Sequence, residues 1–418
     1  GTLENNSLGI SDTKELFTLE EAMAAMFAGN AVLFVDGYDR AIKIGSKGYP
    51  GSGVQKTDSE KGLRGSKEAF SESVKMNTAL IRKRIRNAKM KAEEKQVGRY
   101  SATTTALLYL DGVVYQPICE EMRKRLNAFE VDGIEDSGMI EYLTRKKKEG
   151  RFPVYQTTER PDRAAQAILE GRVVLLTDNS PEALIFPATL NSLFQTADDY
   201  YRNERIVTFL RLIRYVAAFL ALALPGLYVA AATFHPQLLP GNLIRSMAEA
   251  RSGVPFPTAA EVLLMELSFE LLREAGLRMP GPAGNTIGIV GGLIVGQAAV
   301  SANLVSPITV TVAALTALGS FSIPNEELSE VFRLWKYGIL LLGSCFGILG
   351  VMLGCFLLLM LMAEQESYGI PWLYPYVGGN LNERADEKDS MFLAAARKRK
   401  RRPIFAKWGN RIRFRRKS

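Results

Sequence analysis

The spacing of apolar positions divides the chain near residue 205. Upstream, short apolar runs alternate with charged ones, the habit of strands and amphipathic helices that cover one another. Downstream, the stretches 215–234, 287–319 and 337–362 hold no acidic or basic side chain. The upstream part also matches itself. At one fixed offset Gly29 meets Gly171, Asp36 meets Asp178 and Ala41 meets Ala183. In each copy a helical stretch ends at glycine. An apolar strand then reaches a turn at Asp36-Gly37 or Asp178-Asn179, and a second strand returns. The pattern predicts two related α/β subdomains, in 1–100 and 101–205, although any helix–hairpin unit shares some of it.

Between the copies, 66–94 reads as one long helix and 105–115 as a buried strand pair broken at Asp111-Gly112. The helix carries Arg82, Lys83, Arg84, Arg86, Lys89 and Lys91, interleaved with Ile81, Ile85 and Met90 and not with stacking aromatics. That composition predicts a solvated or partner-facing helix and no nucleic-acid partner. At 158–162, Thr-Glu-Arg-Pro-Asp marks a helix start with Pro161 in the first turn, its charges structural and not catalytic.

Downstream, 215–234 is long enough to span a bilayer, with a kink at Pro225-Gly226. Arg202, Arg205, Arg211 and Arg214 precede it, so the positive-inside rule puts the upstream half in the cytoplasm. The stretch 287–319 is too long for one untilted span, and Asn303 and Ser306-Pro307 interrupt it. Two short helices there, with 215–234 and 337–362, give four crossings and return both ends to one face; a re-entrant segment is the competing account. Gly288, Gly292 and Gly296 stand four apart, and Gly343, Gly347, Gly350 and Gly354 form a second seam, the small-residue spacing through which membrane helices pack. Ser306, Thr309, Ala313, Thr316 and Ser320 share one helical face, which suits either a mildly polar pore lining or helix–helix hydrogen bonding. The segment 257–278 is amphipathic, with Glu261, Glu266, Glu270 and Glu274 among Val262, Met265, Phe269 and Leu272. It either lies flat on the bilayer or enters the membrane domain with its acids toward water. Glu270–Arg273 and Glu274–Arg278 pairs along the helix are a further option.

Charge sharpens this division. The stretch 391–418 carries twelve Lys and Arg and no acid, so the formal +8 belongs to the tail. A polybasic cytoplasmic tail is expected over 377–418, after a membrane domain at 206–376. Cys119, Cys345 and Cys355 show no paired spacing, and His235 is the only histidine, so neither a disulfide framework nor a metal site is expected. The chain starts at Gly1 without methionine or signal peptide, which suggests a missing N-terminal piece. No phosphate loop, nucleophile elbow or cofactor motif is present. Gly288–Gly296 lacks the preceding strand of a dinucleotide site. The reading is a non-enzyme without cofactor.

Longer motifs carry a resemblance. Val254-Pro255-Phe256-Pro257, Glu261, the run 271–278 (Leu-Leu-Arg-Glu-Ala-Gly-Leu-Arg), 287–293 (Ile-Gly-Ile-Val-Gly-Gly-Leu), 296–300 (Gly-Gln-Ala-Ala-Val), 321–325 (Phe-Ser-Ile-Pro-Asn) and 368–375 (Tyr-Gly-Ile-Pro-Trp-Leu-Tyr-Pro) strongly resemble the A-subunit family of bacterial spore germinant receptors, the GerA family. Upstream, Leu63-Arg64-Gly65, 70–73, 80–84, 158–162 and 198–201 fit in the same order. Gly51-Ser52-Gly53 departs from it where the family tends to carry a basic residue. The resemblance implies a multi-pass subunit of the spore inner membrane, partnered by receptor B and C subunits and by lipid. It also implies an oligomer, as a pentamer, that forms a nutrient-gated monovalent cation channel. It makes the 287–320 hairpin the preferred pore element, with Asn303, Thr309 and Thr316 lining it. The alternative is a close paralogue encoded with the dipicolinate-transport proteins, acting as an accessory channel or scaffold. A pure scaffold and an alternating-access carrier rank below the channel.

Overall fold

A computed structural model describes residues 13–27, 31–44, 60, 65–146, 149–277, 282–377, 388–395, 398–399, 401–407 and 412. The chain forms two compact units. Residues 1–192, 196–207 and 366–418 make an α/β unit, and 193–195 with 208–365 make a helical one.

The α/β unit begins with β1 (Thr13–Leu16), α1 (Leu19–Phe27), β2 (Ala31–Leu33) and β3 (Ala41–Ile44), an antiparallel sheet in the order β1-β3-β2. There follow α2 (Val74–Arg84), β4 (Met90–Val97), β5 (Thr103–Leu110), α3 (Gln116–Leu126), α4 (Ser137–Thr144), β6 (Gln156–Thr158), α5 (Pro161–Glu170), β7 (Val173–Thr177), β8 (Ala183–Phe186) and α6 (Leu190–Phe194). Their sheet runs β4-β5-β7-β8-β6, antiparallel throughout. In β1-α1-β2-β3 and again in β6-α5-β7-β8, the last strand sits between the other two. Gly171 closes α5 at φ 94°, the left-handed cap that glycine adopts without steric cost.

The larger sheet is covered on both faces, as period-2 alternation requires. Leu107, Val173, Leu175 and Leu184 meet Ile118 and Met122 of α3 on one side. Ala106, Leu108, Val174 and Ile185 meet Ile81 of α2 and Ile168 of α5 on the other.

Two expectations fail here. The helix expected over 66–94 ends at Arg84, and β4 takes its last residues. Met, Lys, Ala and Glu favour helix locally, but all eight residues of β4 pair with β5, from Met90↔Leu110 to Val97↔Thr103. That pairing also runs across the boundary drawn at residue 100. The strand pair expected over 105–115 is one strand. After Leu110 the chain turns at Gly112, and Val114 bridges to Ala406 before α3 begins.

The residues after the helical unit return to this core. β9 (Glu366–Ser367) and β10 (Ile370–Pro371) form a short antiparallel pair. Trp372 is fully buried, donates to the Pro153 carbonyl at 2.8 Å and rests on Phe152 with ring centroids 4.9 Å apart. Further on, the Tyr115 N–H donates to the Phe405 carbonyl at 3.1 Å, and the Lys407 N–H to Val113 at 2.7 Å. Described residues of the polybasic 377–418 stretch thus pack on this unit, and 366–376 belongs to it and not to the helices before it.

The helical unit contains α7 (Glu204–Thr233, from its residue 208 on), α8 (Gly241–Arg251), α9 (Thr258–Leu277), α10 (Pro282–Ser301), α11 (Pro307–Phe321) and α12 (Glu326–Glu364). Among the described residues, α7 and α12 are long and apolar enough to cross a membrane, with mean hydropathies of 1.9 and 2.6. α12 is not one rod. Gly347 has φ 62° and ψ −144°, and the helix folds back there. A Cβ placed on Gly354 would lie 2.9 Å from Ile339 Cγ1, and one on Gly343 2.9 Å from Val351 Cγ2. In a straight helix residues 339 and 354 would be about 22 Å apart at 1.5 Å per residue. The single crossing expected over 337–362 is instead two antiparallel arms, 326–346 and 348–364.

Neighbouring contacts fix the other directions. Gly226 lies beside Ile339 and Phe234 beside Gly347, so α7 runs parallel to the first arm of α12. α11 runs against α7, with Thr309 beside Tyr228 and Gly319 beside Ala221. α9 runs against the first arm, and α10 against α9. Apart from the shorter α8, the helical runs among the described residues, with α12 counted as two arms, thus alternate in direction along the chain.

The fold-back has a direct test. With Cys119, Cys345 and Cys355 replaced by serine, Ile339→Cys with Gly354→Cys should form an intrachain disulfide under mild oxidation, seen as a gel shift. Residues 22 Å apart on a straight helix would give none.

Candidate functional site

The helical unit buries charge. α9 carries acids at 261, 266 and 270, of which Glu266 and Glu270 stand four apart on one side and Glu261 faces another. Glu261 and Glu266 are 0% and 2% exposed, and Lys336 of α12 is 4% exposed. Taking such groups out of water costs several kcal/mol each unless opposite charges and hydrogen bonds meet them.

Each acid has a partner. Glu261 Oε2 accepts from the Ser306 N–H at 2.9 Å and the Thr309 hydroxyl at 3.1 Å, while Oε1 accepts from Arg251 Nε at 3.1 Å. Glu266 Oε2 accepts from Lys336 Nζ at 2.5 Å. Glu270 pairs with Arg333, which also reaches Glu330 at 3.6 Å. Arg273 lies 3.7 Å from Glu326. The result is a ladder of charges between α9 and the first arm of α12, with the start of α11 at one end.

The expected stripe of α11 faces this ladder. Ser306 caps the helix, its hydroxyl accepting from the Thr309 N–H at 3.3 Å. Thr316 donates to the Val312 carbonyl at 2.9 Å, Ser320 to Ala317 at 2.7 Å, and all four side chains are buried. Asn303 stands apart. It is exposed, at φ 55°, with its amide beside Gly253. Glu274 is exposed on α9. Glu270 and Arg273 turn to α12 instead of to each other, and Arg278 lies outside the described residues.

The glycine seams pack within this one chain. Gly292 lies against Phe269 of α9, and Gly296 against Val310 of α11. The surroundings of Gly288 lie outside the described residues. Gly343, Gly350 and Gly354 line the contact between the two arms of α12, where a Cβ on Gly350 would strike the Leu342 carbonyl, and Gly347 makes the reversal.

Lys336 and Arg333 were missed in the sequence. The signal was present. Leu328, Ser329, Phe332, Lys336, Ile339, Leu340 and Gly343 fall on one buried helical side, so the lysine occupies a core position.

Among the described residues of the α/β unit, the one cysteine is not set up as a reactive centre. Cys119 is buried, and burial pushes its thiol up to about 12, far from the thiolate that a nucleophile needs. Among the described residues no group of three His, Cys, Asp or Glu could hold a metal.

The profile described as Bacillus/Clostridium GerA spore germination protein matches residues 2–405. The chain is 38% identical to the uncharacterized membrane protein YfkQ of Bacillus subtilis strain 168 over 390 residues, 93% of this chain and 75% of that one. It is 36% identical to spore germination protein A1 of the same organism over 364 residues, 87% of this chain and 76% of that one. The solved N-terminal domain of the A subunit of the Bacillus megaterium spore germinant receptor GerK3 matches at 26% identity, over 45% of this chain and 67% of that one. Its TM-score is 0.33, too loose for a comparison of positions. The family seen in the motifs is the one that the whole-chain match returns.

Breaking the buried pair should be costly. In potassium-free detergent buffer, Glu266→Gln or Lys336→Met alone should destabilise the helical unit by about 3–5 kcal/mol. The double variant should lose less than the sum of the two, by about 0.5–3 kcal/mol of coupling. Thermal unfolding of the four proteins measures the cycle.

Proposed function

We propose, from the premise that this chain belongs to the GerA family of spore germination proteins, that it is the membrane subunit of a spore germinant receptor. In this reading the helical unit lies in the spore inner membrane, and the α/β unit and the C-terminal residues face the cytoplasm. It assembles with itself, as a pentamer, and with receptor B and C subunits. Nutrient binding on the complex then opens a path for monovalent cations.

One observation carries the membrane placement. The helical unit is polar inside and apolar outside. Glu261, Glu266 and Lys336 are buried, while Leu334, Leu341, Phe346, Leu349, Met352 and Phe356 of α12 are largely exposed. A water-soluble protein hides such side chains. In a bilayer they face lipid, and ionisable groups turn inward to one another. Arg202 and Arg205, before the apolar part of α7, support a cytoplasmic start. The ladder supports a cation path because it holds fixed carboxylates along the length of α9.

The second reading is a family paralogue that acts as an accessory channel or scaffold with the dipicolinate-release machinery. Adjacent B- and C-subunit genes favour the receptor, and adjacent dipicolinate-transport genes favour the accessory reading.

Liposomes holding this chain with its B and C subunits should release potassium on addition of germinant. Thr309→Trp or Thr316→Trp, which fill the face toward α9, should cut the flux at least tenfold. Absence of germinant-dependent conductance from the full assembly would overturn the channel, and unchanged flux in both variants would move the path away from α11.

A further inference from the structure

Glu266 is only half satisfied. Its Oε2 holds Lys336 Nζ at 2.5 Å, but its Oε1 is buried without a hydrogen-bond partner. The hydroxyl of Tyr337, on the next residue of α12, is likewise buried and unpartnered. Lys336 Nζ lies 4.9 Å from the centre of the Tyr337 ring, a cation–π distance. The Thr316 side chain stands beside the Glu266 carboxyl, and Glu270 with Arg333 lies one turn away.

An ion pair kept for stability satisfies its remaining lone pairs, because a bare buried oxygen costs free energy. Glu266 leaves one open. Carboxylate oxygen, hydroxyl oxygen and an aromatic face are also what a bare monovalent cation accepts in place of water. An ammonium occupies about the volume of a potassium or rubidium ion and more than that of sodium. Lys336 brings that ammonium on a flexible four-carbon stem, so it can leave Glu266 while Phe332, Ile339 and Leu340 stay packed.

We propose that Glu266 is a binding site for a monovalent cation of ammonium size, and that Lys336 fills it in this conformation as a tethered substitute for the ion. For its biological role the site rests on the cation-release reading above. Displacement of the lysine frees the site, and its return empties it. Lys336 is then the built-in competitor of the ion.

The test uses the purified full chain in detergent and needs no conductance. Lys336→Met removes the tethered ammonium and leaves Glu266 free. Its Tm should rise by about 2–4 °C when N-methylglucamine chloride is replaced by equimolar potassium or rubidium chloride, less with sodium. It should also retain rubidium-86 on a desalting column. The wild-type chain and Lys336→Met with Glu266→Gln should show neither effect. A folded Lys336→Met with equal Tm in all salts overturns the proposal. So does an equal response from the double variant, which would place the ion elsewhere. If Lys336→Met is recovered only when purified in potassium, the ion has replaced the missing charge, as expected. Recovery in neither salt overturns the proposal, since the cation should have done so. Cation binding without flux in liposomes removes the channel and keeps the site. Germinant-dependent flux without cation binding does the reverse.

Discussion

A carboxylate shut away from water needs a cation beside it, and in this conformation Glu266 with Lys336 ties α9 to the first arm of α12. Their contact fixes the register of α9 on the first arm of α12, and Glu270–Arg333 and Arg273–Glu326 follow from it at successive turns. With that register set, Val262 falls on Val229 and Leu340, and Met265 on Ala299 and Ala313. α7 and α10 join through apolar contacts in that register, and α11 adds the hydrogen bonds of Ser306 and Thr309 to Glu261.

The α/β unit solves the opposite problem. Its sheet is apolar on both sides, and among the charges buried around it Arg172, just before β7, is held differently from the ion pairs. Arg172 has no carboxylate among its hydrogen-bond partners. It donates to the Pro187 carbonyl at 2.7 Å and to Gln156 Oε1 at 2.9 Å, and its guanidinium faces the Phe405 ring at 5.4 Å. Burial pulls its pKa down to about 10, so it stays charged at neutral pH on neutral acceptors alone. The same residue thus ties the loop after β8 to the returning C-terminal segment. Neutral acceptors serve here because they leave no counter-charge to desolvate.

How much of this was legible follows from how local each cause is. The repeat was visible because strand alternation, helix-closing glycine and turn residues act over a few positions. The acids of α9 were visible as ionisable groups on an amphipathic helix. β4 was not, since its residues favour helix until β5 supplies eight pairing partners. Lys336 was not singled out either, because its partner lies 70 residues away. The glycines of α12 were read as a packing seam, and they do pack. Their partner, however, is the same helix after a reversal, and helical spacing is identical on a straight helix and on a folded one. The positive φ of Gly347 and the contacts between the two arms separate the two.

That reversal carries more than packing. The chain enters the helical unit at the start of α7 and leaves it at the end of α12. If α12 were straight, α7, α9, α10, α11 and α12 would make five alternating runs, and entry and exit would fall at opposite ends. The fold-back makes six, so both connections to the α/β unit, at 207–208 and 365–366, leave from one end. The α/β core needs this, because Trp372 and Tyr368 follow that exit within a few residues and are buried in it. A residue with a Cβ resists φ 62° with ψ −144°, and one at Gly350 would meet the Leu342 carbonyl. Two glycines on α12 thus decide from which end of the helical unit the chain continues to Trp372.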